Sequence, residues 1–380
     1  MVLSQICTYS NDKISIVDVN KNTYISTENM LPNKAGIIQA ASLPSTMQVK
    51  CYKQGDVLVS NIRPYFKKIW FAEHEGSCSN DVLVFRAKET VNPNYLFYVL
   101  SCDKFFEYAM ATSKGTKMPR GDKKTLMEYE IPEHNYVEQV KIAGLLRRID
   151  DKIGINNKIN NNLEQQAEAY FQELFIDNVN PTWTVGTISD LGTVVGGSTP
   201  SKSKPEYYAK TGIAWITPKD LSINKSKFIS HGKNDISELG LKNSSASVMP
   251  EGTVLFSSRA PIGYIAIAAG EVTTNQGFKS VVPKHEIGTP FVYCFLRHNL
   301  PIIEGMASGS TFKEVSSNTM RNIPVAIPDA RTLAKFNDFC APLFVQQQIL
   351  EKENQSLTTL RDSLLPKLLS GELDVSELHS

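Results

Sequence analysis

The sequence predicts an α+β protein in which two related globular blocks alternate with two long helices. Three observations support this fold class: an internal repeat with an offset of about 196 residues, two segments with coiled-coil spacing, and short β-branched runs bounded by Gly or Pro. The chain has 380 residues, of which 41% are hydrophobic and 21% charged, so it is long enough for two domains with their own cores.

The chain divides into four segments. We predict a globular block at residues 1–135, a coiled-coil helix at 136–179, a second globular block at 180–331, and a second coiled-coil helix with a C-terminal tail at 332–380. The blocks carry net charges of +2 and +4, whereas the helical segments carry −2 and −3. The net charge of the whole chain is only +1, although both globular blocks are mildly basic. Phosphate binding depends on local basic patches of this kind and not on the net charge of the chain.

The repeat is clearest in one pair of segments. The first copy is GDVLVSNIRPYF at residues 55–66, and the second is GTVLFSSRAPIGY at residues 252–264. Further pairs keep nearly the same offset, among them SNDVLVF with TNQGFKSVV and ATSKGTKM with MASGSTFK. Several matches in the same order indicate a repeated unit. Within each block, VLVSNI, DVLVFRA, GTVLFSS and YIAIAA predict strands, and NYLFYVLSCDKFFEYAM and FVYCFLRHNLPIIEGMA predict helices.

Each block is followed by a segment whose apolar positions step by four and three, which is the seam of a coiled coil. Both seams become polar near the middle, at Asn156 and Asn160 in the first and at Gln347 and Asn354 in the second. Antiparallel pairing would bring these polar centres together, so we predict two pseudo-twofold-related blocks separated by a pair of antiparallel helices. The alternative is that each helix lies only on its own block.

The sequence offers no catalytic or metal-binding pattern. NIRPY is similar to the Asn-Pro-Pro-Tyr box of adenine methyltransferases, with Arg63 in place of the first proline, but no glycine-rich cofactor loop accompanies it. The chain has no GxxxxGK[ST], GxSxG or HExxH motif, and its six cysteines and six histidines are dispersed. We therefore predict no catalytic residue, no metal site and reduced cysteines.

Basic and hydroxyl side chains in loops are the strongest candidates for a binding function, because Lys, Arg, Ser and Thr are common phosphate contacts and Arg is the commonest reader of guanine. The alternatives are solvated surface charge and salt bridges within a domain. In the first block the candidates are Arg63, Tyr65, Lys67, Lys68, Lys114, Lys117, Arg120 and Lys123. In the second block they are Thr199, Ser201, Lys202, Lys204, Tyr207, Lys219, Ser257, Arg259, Ser310, Thr311 and Lys313.

These segments resemble the specificity subunit of type I restriction–modification systems, over essentially the whole chain. The second half carries the most specific matches, namely GGSTPSKSKPEYY, GIAWITPKDL, VLFSSRAPIGYIAIA, TTNQGFKSVVP and GSTFKEVSSNTMRNIPVAIPD. The tail LRDSLLPKLLSGELDV is also similar to the ending of that family. The first half departs from the pattern because it lacks a GGxTP-like opening loop, although SNIRPYFKKIWFA and GSCSND are similar to one branch of the family.

The resemblance implies that each block is a target-recognition domain for one half of a split sequence in double-stranded DNA. The helices would set the gap and dock two adenine methyltransferase subunits, which bring S-adenosylmethionine. Motor–nuclease subunits would bring ATP and Mg²⁺, so this chain would bind no cofactor and would not be an enzyme by itself. The alternatives are a specificity subunit of a methylation-only or fused system, a self-contained DNA-modifying enzyme and a coiled-coil protein adaptor. No apolar run approaches the length of a membrane span and no secretory signal is evident, so we expect a cytoplasmic location.

Overall fold

The computed structural model describes residues 1–309 and 313–375. The chain forms two compact units, one made of Met1–Gly154 together with the residues from Ser356 on, and the other made of Ile155–Gln355. We call them unit 1 and unit 2. Each unit contains one globular block and part of each long helix. Within the described ranges, no helix has the length and apolar character needed to cross a lipid bilayer.

Unit 1 is built on two four-stranded sheets. One has the strand order β1-β8-β5-β6 and is antiparallel throughout, and the other has the order β2-β4-β7-β3. The strands are β1 (Cys7–Tyr9), β2 (Lys13–Ser15), β3 (Tyr24–Ile25), β4 (Gln48–Tyr52), β5 (Val57–Ser60), β6 (Ile69–Phe71), β7 (Gly76–Cys78) and β8 (Val82–Ala87). The predicted strands VLVSNI and DVLVFRA correspond to β5 and β8, whose β-branched side chains are buried.

The helices of unit 1 pack on the first sheet. They are α1 (Leu3–Ile6), α2 (Pro93–Ser101), α3 (Asp103–Ala111), α4 (Lys123–Leu126), the first part of α5 (Tyr136–Gln172) and the last part of α12 (Ala330–Ser370). The single helix that NYLFYVLSCDKFFEYAM suggests is interrupted, because Cys102 is extended between α2 and α3. The interruption allows Tyr98 of α2 and Phe105 of α3 to enter the same core, which also contains Phe85 of β8.

Unit 2 contains a five-stranded sheet of order β10-β18-β15-β16-β13, a four-stranded sheet of order β11-β14-β12-β17 and the separate pair β19-β9. The strands are β9 (Thr184–Thr187), β10 (Gly192–Gly196), β11 (Tyr208–Ala209), β12 (Ile213–Ile216), β13 (Phe228–Ile229), β14 (Asn234–Ile236), β15 (Val254–Ser258), β16 (Ile262–Ala268), β17 (Thr273–Thr274), β18 (Lys279–Pro283) and β19 (Pro324–Ile327). GTVLFSS and YIAIAA therefore lie in β15 and β16, as the sequence predicts.

The helices of unit 2 are the later part of α5, α6 (Ile188–Leu191), α7 (Pro218–Ile223), α8 (Glu238–Lys242), α9 (Thr289–His298), α10 (Leu300–Gly305), α11 (Ser317–Arg321) and the first part of α12 (Ala330–Ser370). The helix predicted for FVYCFLRHNLPIIEGMA is interrupted at Asn299, between α9 and α10. Pro301 explains the interruption, because proline removes a backbone donor and clashes with the preceding helical turn.

The internal repeat is visible in the strand order of the main sheets. The series β1-β8-β5-β6 in unit 1 matches β10-β18-β15-β16 in unit 2. The register agrees as well, since Val57 faces Phe85 in the first sheet and Val254 faces Val281 in the second. These residues stand at the same places in the repeat. The repeated sequence thus encodes a repeated β-sheet, as expected when matching apolar patterns specify the same register.

The long helices pair antiparallel within each unit. In unit 1 Arg361 Nη1 of α12 lies 2.8 Å from Asp150 Oδ1 of α5. In unit 2 the amide of Asn156 donates to Asn354 Oδ1 at 2.9 Å, and the amide of Gln347 donates to the Asn160 backbone carbonyl at 3.2 Å. The residue numbers fall along α12 as they rise along α5, which confirms the antiparallel pairing. The polar centres of the two seams meet as predicted.

Candidate nucleic-acid interface

A rigid turn follows β5 in unit 1. Pro64 begins a short 3₁₀-helix, Pro64–Phe66, and both flanking residues have left-handed backbone angles, with φ of +51° at Arg63 and +49° at Lys67. The Arg63 amide donates to the Pro119 carbonyl at 2.8 Å, and the Phe66 carbonyl accepts from Asn33 at 2.8 Å. These backbone bonds hold the turn in one conformation, so its side chains project from a fixed platform.

The predicted residues of this turn divide into two groups. Tyr65 is 48% exposed, and Arg63 has no charged partner among the described residues. Lys67 instead forms an ion pair with Asp103 at 2.8 Å, and Lys68 donates to the Thr27 carbonyl at 2.6 Å, where burial lowers the pKa of Lys68. Arg63 and Tyr65 are therefore available to a ligand, whereas Lys67 and Lys68 anchor the turn.

A basic hairpin lies against this turn. Its neck is formed by Lys114 and Arg120, whose backbones exchange two hydrogen bonds of 2.9 and 3.0 Å, and Gly115 in the tip has φ of +95°. A backbone bond from Gly121 to the Asn61 carbonyl, 3.3 Å long, joins the hairpin to the turn. Loop residues far apart in the sequence are thereby placed on one surface.

The four predicted cations in this hairpin and at the start of α4 differ in their surroundings. Lys114 pairs with Asp122 at 2.7 Å, and this contact together with backbone N–H groups lowers the pKa of Asp122 to about 2. Arg120 pairs with Asp81 at 3.1 Å. Lys117, at the tip, and Lys123, at the start of α4, are exposed and have no carboxylate partner among the residues described. They are the cations that phosphate can approach most easily.

Unit 2 has an open cavity of about 590 Å³ beside the turn that follows β15. Five separate segments contribute to its wall, and most of the lining side chains are polar. The polar lining residues are Thr199, Lys202, Thr217, Lys219, Asn234, Arg259, Asn275 and Gln276. The predicted residues Thr199, Lys202, Lys219 and Arg259 are therefore brought together.

Local hydrogen bonds hold the loop that carries Thr199. Trp215 Nε1 donates to the Ser198 carbonyl at 3.0 Å, and the Tyr208 hydroxyl donates to the Pro200 carbonyl at 2.7 Å. The Thr199 hydroxyl donates to Gln276 Oε1. Gly197 is required next to this loop, because a Cβ atom there would overlap the carbonyl oxygen of Asn275.

Arg259 follows β15 and is 37% exposed. Its Nη1 lies 3.3 Å from Glu314 Oε2, and the other oxygen of this carboxylate lies 3.2 Å from Lys279 Nζ. The left-handed residue of this turn is Ala260, with φ of +54°, which precedes Pro261 as Arg63 precedes Pro64. Ala260 and not Arg259 is therefore the backbone counterpart of Arg63.

Ser257 has a structural position. It is fully buried, its hydroxyl donates to the Pro261 carbonyl at 2.9 Å, and its oxygen accepts from the Tyr264 amide at 2.8 Å. The hydroxyl is therefore fully used inside the turn. Sequence reasoning could not detect this burial, because the partners lie on the far side of the turn.

The remaining candidates of unit 2 lie around the cavity loop or on the second hairpin. The Ser201 hydroxyl bonds to that of Ser203 at 2.8 Å, Lys204 lies 3.8 Å from Glu206, and Tyr207 is half-buried. Lys313 is exposed. Ser310 and Thr311 lie outside the described residues.

Unit 2 contains a hairpin that corresponds to the basic hairpin of unit 1. The backbones of Ser308 and Glu314 exchange hydrogen bonds of 3.1 and 2.9 Å, as those of the first neck do. Val315 then donates to the Ser258 carbonyl at 3.0 Å, which matches the bond between Gly121 and Asn61. Each unit thus presents a strand, a turn and a hairpin in the same arrangement.

Sequence reasoning missed several polar residues of this surface, among them Asn275, Gln276 and Glu314. Asn275 and Gln276 belong to the repeated segment TTNQGFKSVV, and their position before a glycine was a sign of an exposed turn. Glu314 had no comparable signal, because its role depends on its distance from Arg259 and Lys279.

The family model described as type I restriction modification DNA specificity domain matches residues 3–165 and again residues 180–358. The chain belongs to this family. The two matches contain the two globular blocks with most of the long helices, so the chain carries two copies of the specificity domain. The family resemblance predicted from the sequence is thereby confirmed, together with the α+β fold.

Two curated specificity subunits illustrate the likeness. The type I restriction enzyme MjaIX specificity subunit of Methanocaldococcus jannaschii is 37% identical over 194 residues, which cover 49% of this chain and 45% of that relative. The type I restriction enzyme HindI specificity subunit of Haemophilus influenzae is 24% identical, and the match covers 92% of this chain and 94% of the relative. The more similar relative is thus matched over less than half of its length.

The fold is also similar to a solved structure. The crystal structure of the type I restriction–modification system S subunit from M. genitalium aligns with a TM-score of 0.61 and 16% sequence identity, and it covers 97% of this chain and 95% of that one. At this identity the likeness concerns the fold alone.

Proposed function

We propose that this chain is the DNA-specificity subunit of a type I restriction–modification system and that each globular block recognises one half of a split target. One observation carries the proposal: both units contain the same strand, followed by a turn and a basic or polar hairpin. The chain that repeats this arrangement also matches the DNA specificity domain twice. Duplicated recognition surfaces suit a target in two halves, as paired modules do in other DNA-binding proteins.

In unit 1 the ligand would be held by Lys117 and Lys123 at the phosphates, while Arg63 and Tyr65 contact the bases or the groove wall. Two of these side chains belong to the rigid turn and two to the hairpin and α4. Phosphate contacts position a protein on DNA, and side chains at the base edges provide the specificity. The separation of exposed lysines from an arginine on the hydrogen-bonded turn corresponds to these two tasks.

In unit 2 the cavity would accommodate the base edges of the other half of the target sequence. Lys202 and Lys219 are exposed at its rim and would contact phosphates. Arg259 and Gln276 line its wall. These side chains have the hydrogen-bonding groups that distinguish guanine and adenine in the major groove.

The antiparallel helices would set the gap between the half-sites and dock two methyltransferase subunits. Within unit 2, α5 exposes Ile155 and Ile159, and α12 exposes Val345 and Ile349, each between 40% and 56%. Residues four apart share a face of a helix, and exposed apolar rows of this kind mark protein-binding surfaces. The methyltransferase partners would supply S-adenosylmethionine, and motor–nuclease subunits would supply ATP and Mg²⁺.

A methylation-only or fused system would use the same recognition surfaces without a separate nuclease. The genes beside this one distinguish that possibility. A protein adaptor without DNA affinity is the second alternative, and it would have no need of Arg63, Lys117 and Lys123, which have no carboxylate partner among the described residues. A gel shift with the co-purifying partners separates the adaptor from the DNA-binding subunit.

The decisive experiment is long-read detection of methylated adenines in cells with and without this chain. We expect a two-part motif that is methylated only when the chain is present. A control strain should express the chain with a stop codon in the first block. Identical methylation in all three strains would contradict the proposed function.

A further inference from the structure

We infer that Glu314 is a specificity-determining residue, which restrains Arg259 and Lys279 so that unit 2 binds its target bases in preference to arbitrary DNA. This inference rests on the proposed function. It concerns a carboxylate that stands on a surface otherwise suited to polyanions. A carboxylate repels DNA phosphates, so its presence on this surface calls for another role.

The geometry places Glu314 between the two cations. One carboxylate oxygen lies 3.3 Å from Arg259 Nη1 and the other lies 3.2 Å from Lys279 Nζ. The three side chains are 37%, 11% and 32% exposed for Arg259, Lys279 and Glu314. Both cations are thus compensated by one anion at the edge of the cavity that Arg259 lines.

The backbone holds Glu314 in this position. Its amide donates to the Ser308 carbonyl at 2.9 Å, and the amide of the next residue, Val315, donates to the Ser258 carbonyl at 3.0 Å. Ser258 directly precedes Arg259. The hairpin therefore fixes the carboxylate beside the guanidinium.

A compensated arginine discriminates between two kinds of acceptor. A DNA phosphate is an anion and has to compete with the carboxylate for the guanidinium. The N7 and O6 atoms of guanine are neutral acceptors, and a guanidinium has five N–H donors, so an arginine bound to Glu314 through Nη1 still has donors for guanine. Because phosphate attraction dominates non-specific binding, Glu314 reduces that binding more than it reduces recognition of the target.

Unit 1 provides an internal contrast. The position at the neck of its hairpin that corresponds to Glu314 is occupied by Arg120, which pairs with Asp81 at 3.1 Å. Arg63 has no carboxylate partner among the described residues. The restraint is therefore a property of unit 2 and not of the shared fold.

The test compares the chain carrying Glu314→Gln with the unaltered chain, both purified with their partner subunits. Binding is measured over a range of salt concentrations on a duplex of random sequence and on a duplex with the methylated motif. The substitution keeps the shape of the side chain and removes its charge. We expect tighter binding to the random duplex, a salt slope steeper by about 0.9 for one further phosphate contact, and a lower ratio of specific to non-specific affinity.

The matched control is Glu304→Gln, which removes the same charge from an exposed position on α10 of the same unit. It should leave the affinity ratio close to that of the unaltered chain. Glu314→Asp keeps the charge, so this variant should retain most of the discrimination that Glu314→Gln loses. A thermal melt of each variant reports on the fold.

Two results would overturn the inference. In one, Glu314→Gln and Glu304→Gln have the same salt slope and affinity ratio. In the other, Glu314→Gln weakens binding to both duplexes and lowers the melting temperature, as loss of a purely structural ion pair would. If the unaltered complex itself shows no preference for the motif, the proposed function fails instead.

Discussion

Arg63 and Arg259 follow equivalent strands of the two units, but their surroundings differ. Arg63 itself adopts the left-handed backbone of its turn, while in unit 2 this conformation falls on Ala260. Arg63 lacks a charged partner in the described structure, and Arg259 is compensated by Glu314. The same side chain at nearly the same place in a repeat therefore has two different electrostatic environments.

Replacing Arg259 with Ala should cost about 1–3 kcal/mol at one target position and relax the base preference there. The reason is the loss of the bidentate donor pair. Arg259→Lys is the control, since it keeps the charge but lacks the planar fork, and it should lose discrimination with little change in salt dependence. Sequencing of methylated sites checks both variants, and an unchanged motif for Arg259→Ala would exclude the proposed contact.

Replacing Lys117 with Ala should weaken binding to every sequence and reduce the magnitude of the salt slope by about 1, because one phosphate contact is lost. Lys117→Arg keeps the charge and should retain the slope. Titration of random and target duplexes at several salt concentrations provides the measurement. Loss of affinity for the target alone would assign Lys117 to a base edge.

His134 makes the stability of unit 1 depend on pH. The ring is half-buried, its Nδ1 lies 2.8 Å from the Tyr95 hydroxyl, and burial lowers its pKa below the usual value of 6.5. The unfolded chain therefore takes up this proton more readily than the folded chain. The free energy of unfolding should fall as the pH drops below about 6.5.

Thermal melts of the unaltered chain and of His134→Gln at several pH values test this effect. The variant should lose less stability on acidification than the unaltered chain does. His285→Gln changes an exposed histidine and should behave like the unaltered chain. Parallel pH profiles for all three proteins would rule out the role of His134.

At the scale of elements, the repeated motif is a strand followed by a turn and a hairpin that packs on the turn. Backbone hydrogen bonds make these contacts in both units, so the arrangement survives changes in the side chains. This explains why Arg120 at one hairpin neck and Glu314 at the other can differ in charge while the elements keep their places. The recognition loops can diverge on a constant scaffold.

The helix pair permits a test of the proposed ruler. One heptad inserted between Gly154 and Ile155 and a second between Gln355 and Ser356 keep the pairs within each unit, including Asp150 with Arg361 and Asn156 with Asn354. At 1.5 Å per residue the insertion adds about 10 Å, or about three base pairs, so the motif should gain about three base pairs in its gap.

The control is a heptad in only one of the two helices. It should disturb the pairing and abolish assembly. The residues beyond the insertion are shifted by seven positions relative to their partners on the unaltered helix. Sequencing of methylated sites gives the gap directly. Full methylation with the original gap in the doubly extended chain would contradict the ruler.

At the scale of the whole molecule, each unit has its own hydrophobic core. One core contains Phe85 and Phe105, and another contains Phe256 and Phe291. Separate cores allow one block to change without unfolding the other. The duplication therefore suits a protein whose two binding surfaces evolve independently.

Independent blocks should give independent half-sites. Arg63→Ala should alter one half of the methylated motif, Arg259→Ala should alter the other, and the double variant should show both changes with additive losses of binding free energy. Methylation sequencing and duplex binding measure the two effects. A change in both halves from either single substitution would show that the blocks are coupled.

The sequence by itself determined the two blocks, the long helices, the antiparallel pairing and the family. These follow from patterns that are local or periodic, such as the two coiled-coil seams whose polar centres meet at Asn156 and Asn354. Its list of candidate residues was less discriminating, because composition does not reveal which side chains are already engaged. Lys67 and Lys114 looked like Lys117 in the sequence.

Only the tertiary structure decided which of these residues share a surface and which are occupied. Ser257 is buried in its own turn, Lys67 is paired with Asp103, and Gln276 and Glu314 join Arg259 from other loops. The physical reason is that hydrogen bonds and ion pairs depend on distances between residues remote in the chain. Hydrophobic periodicity specifies the elements, but the packing of those elements brings the polar groups together.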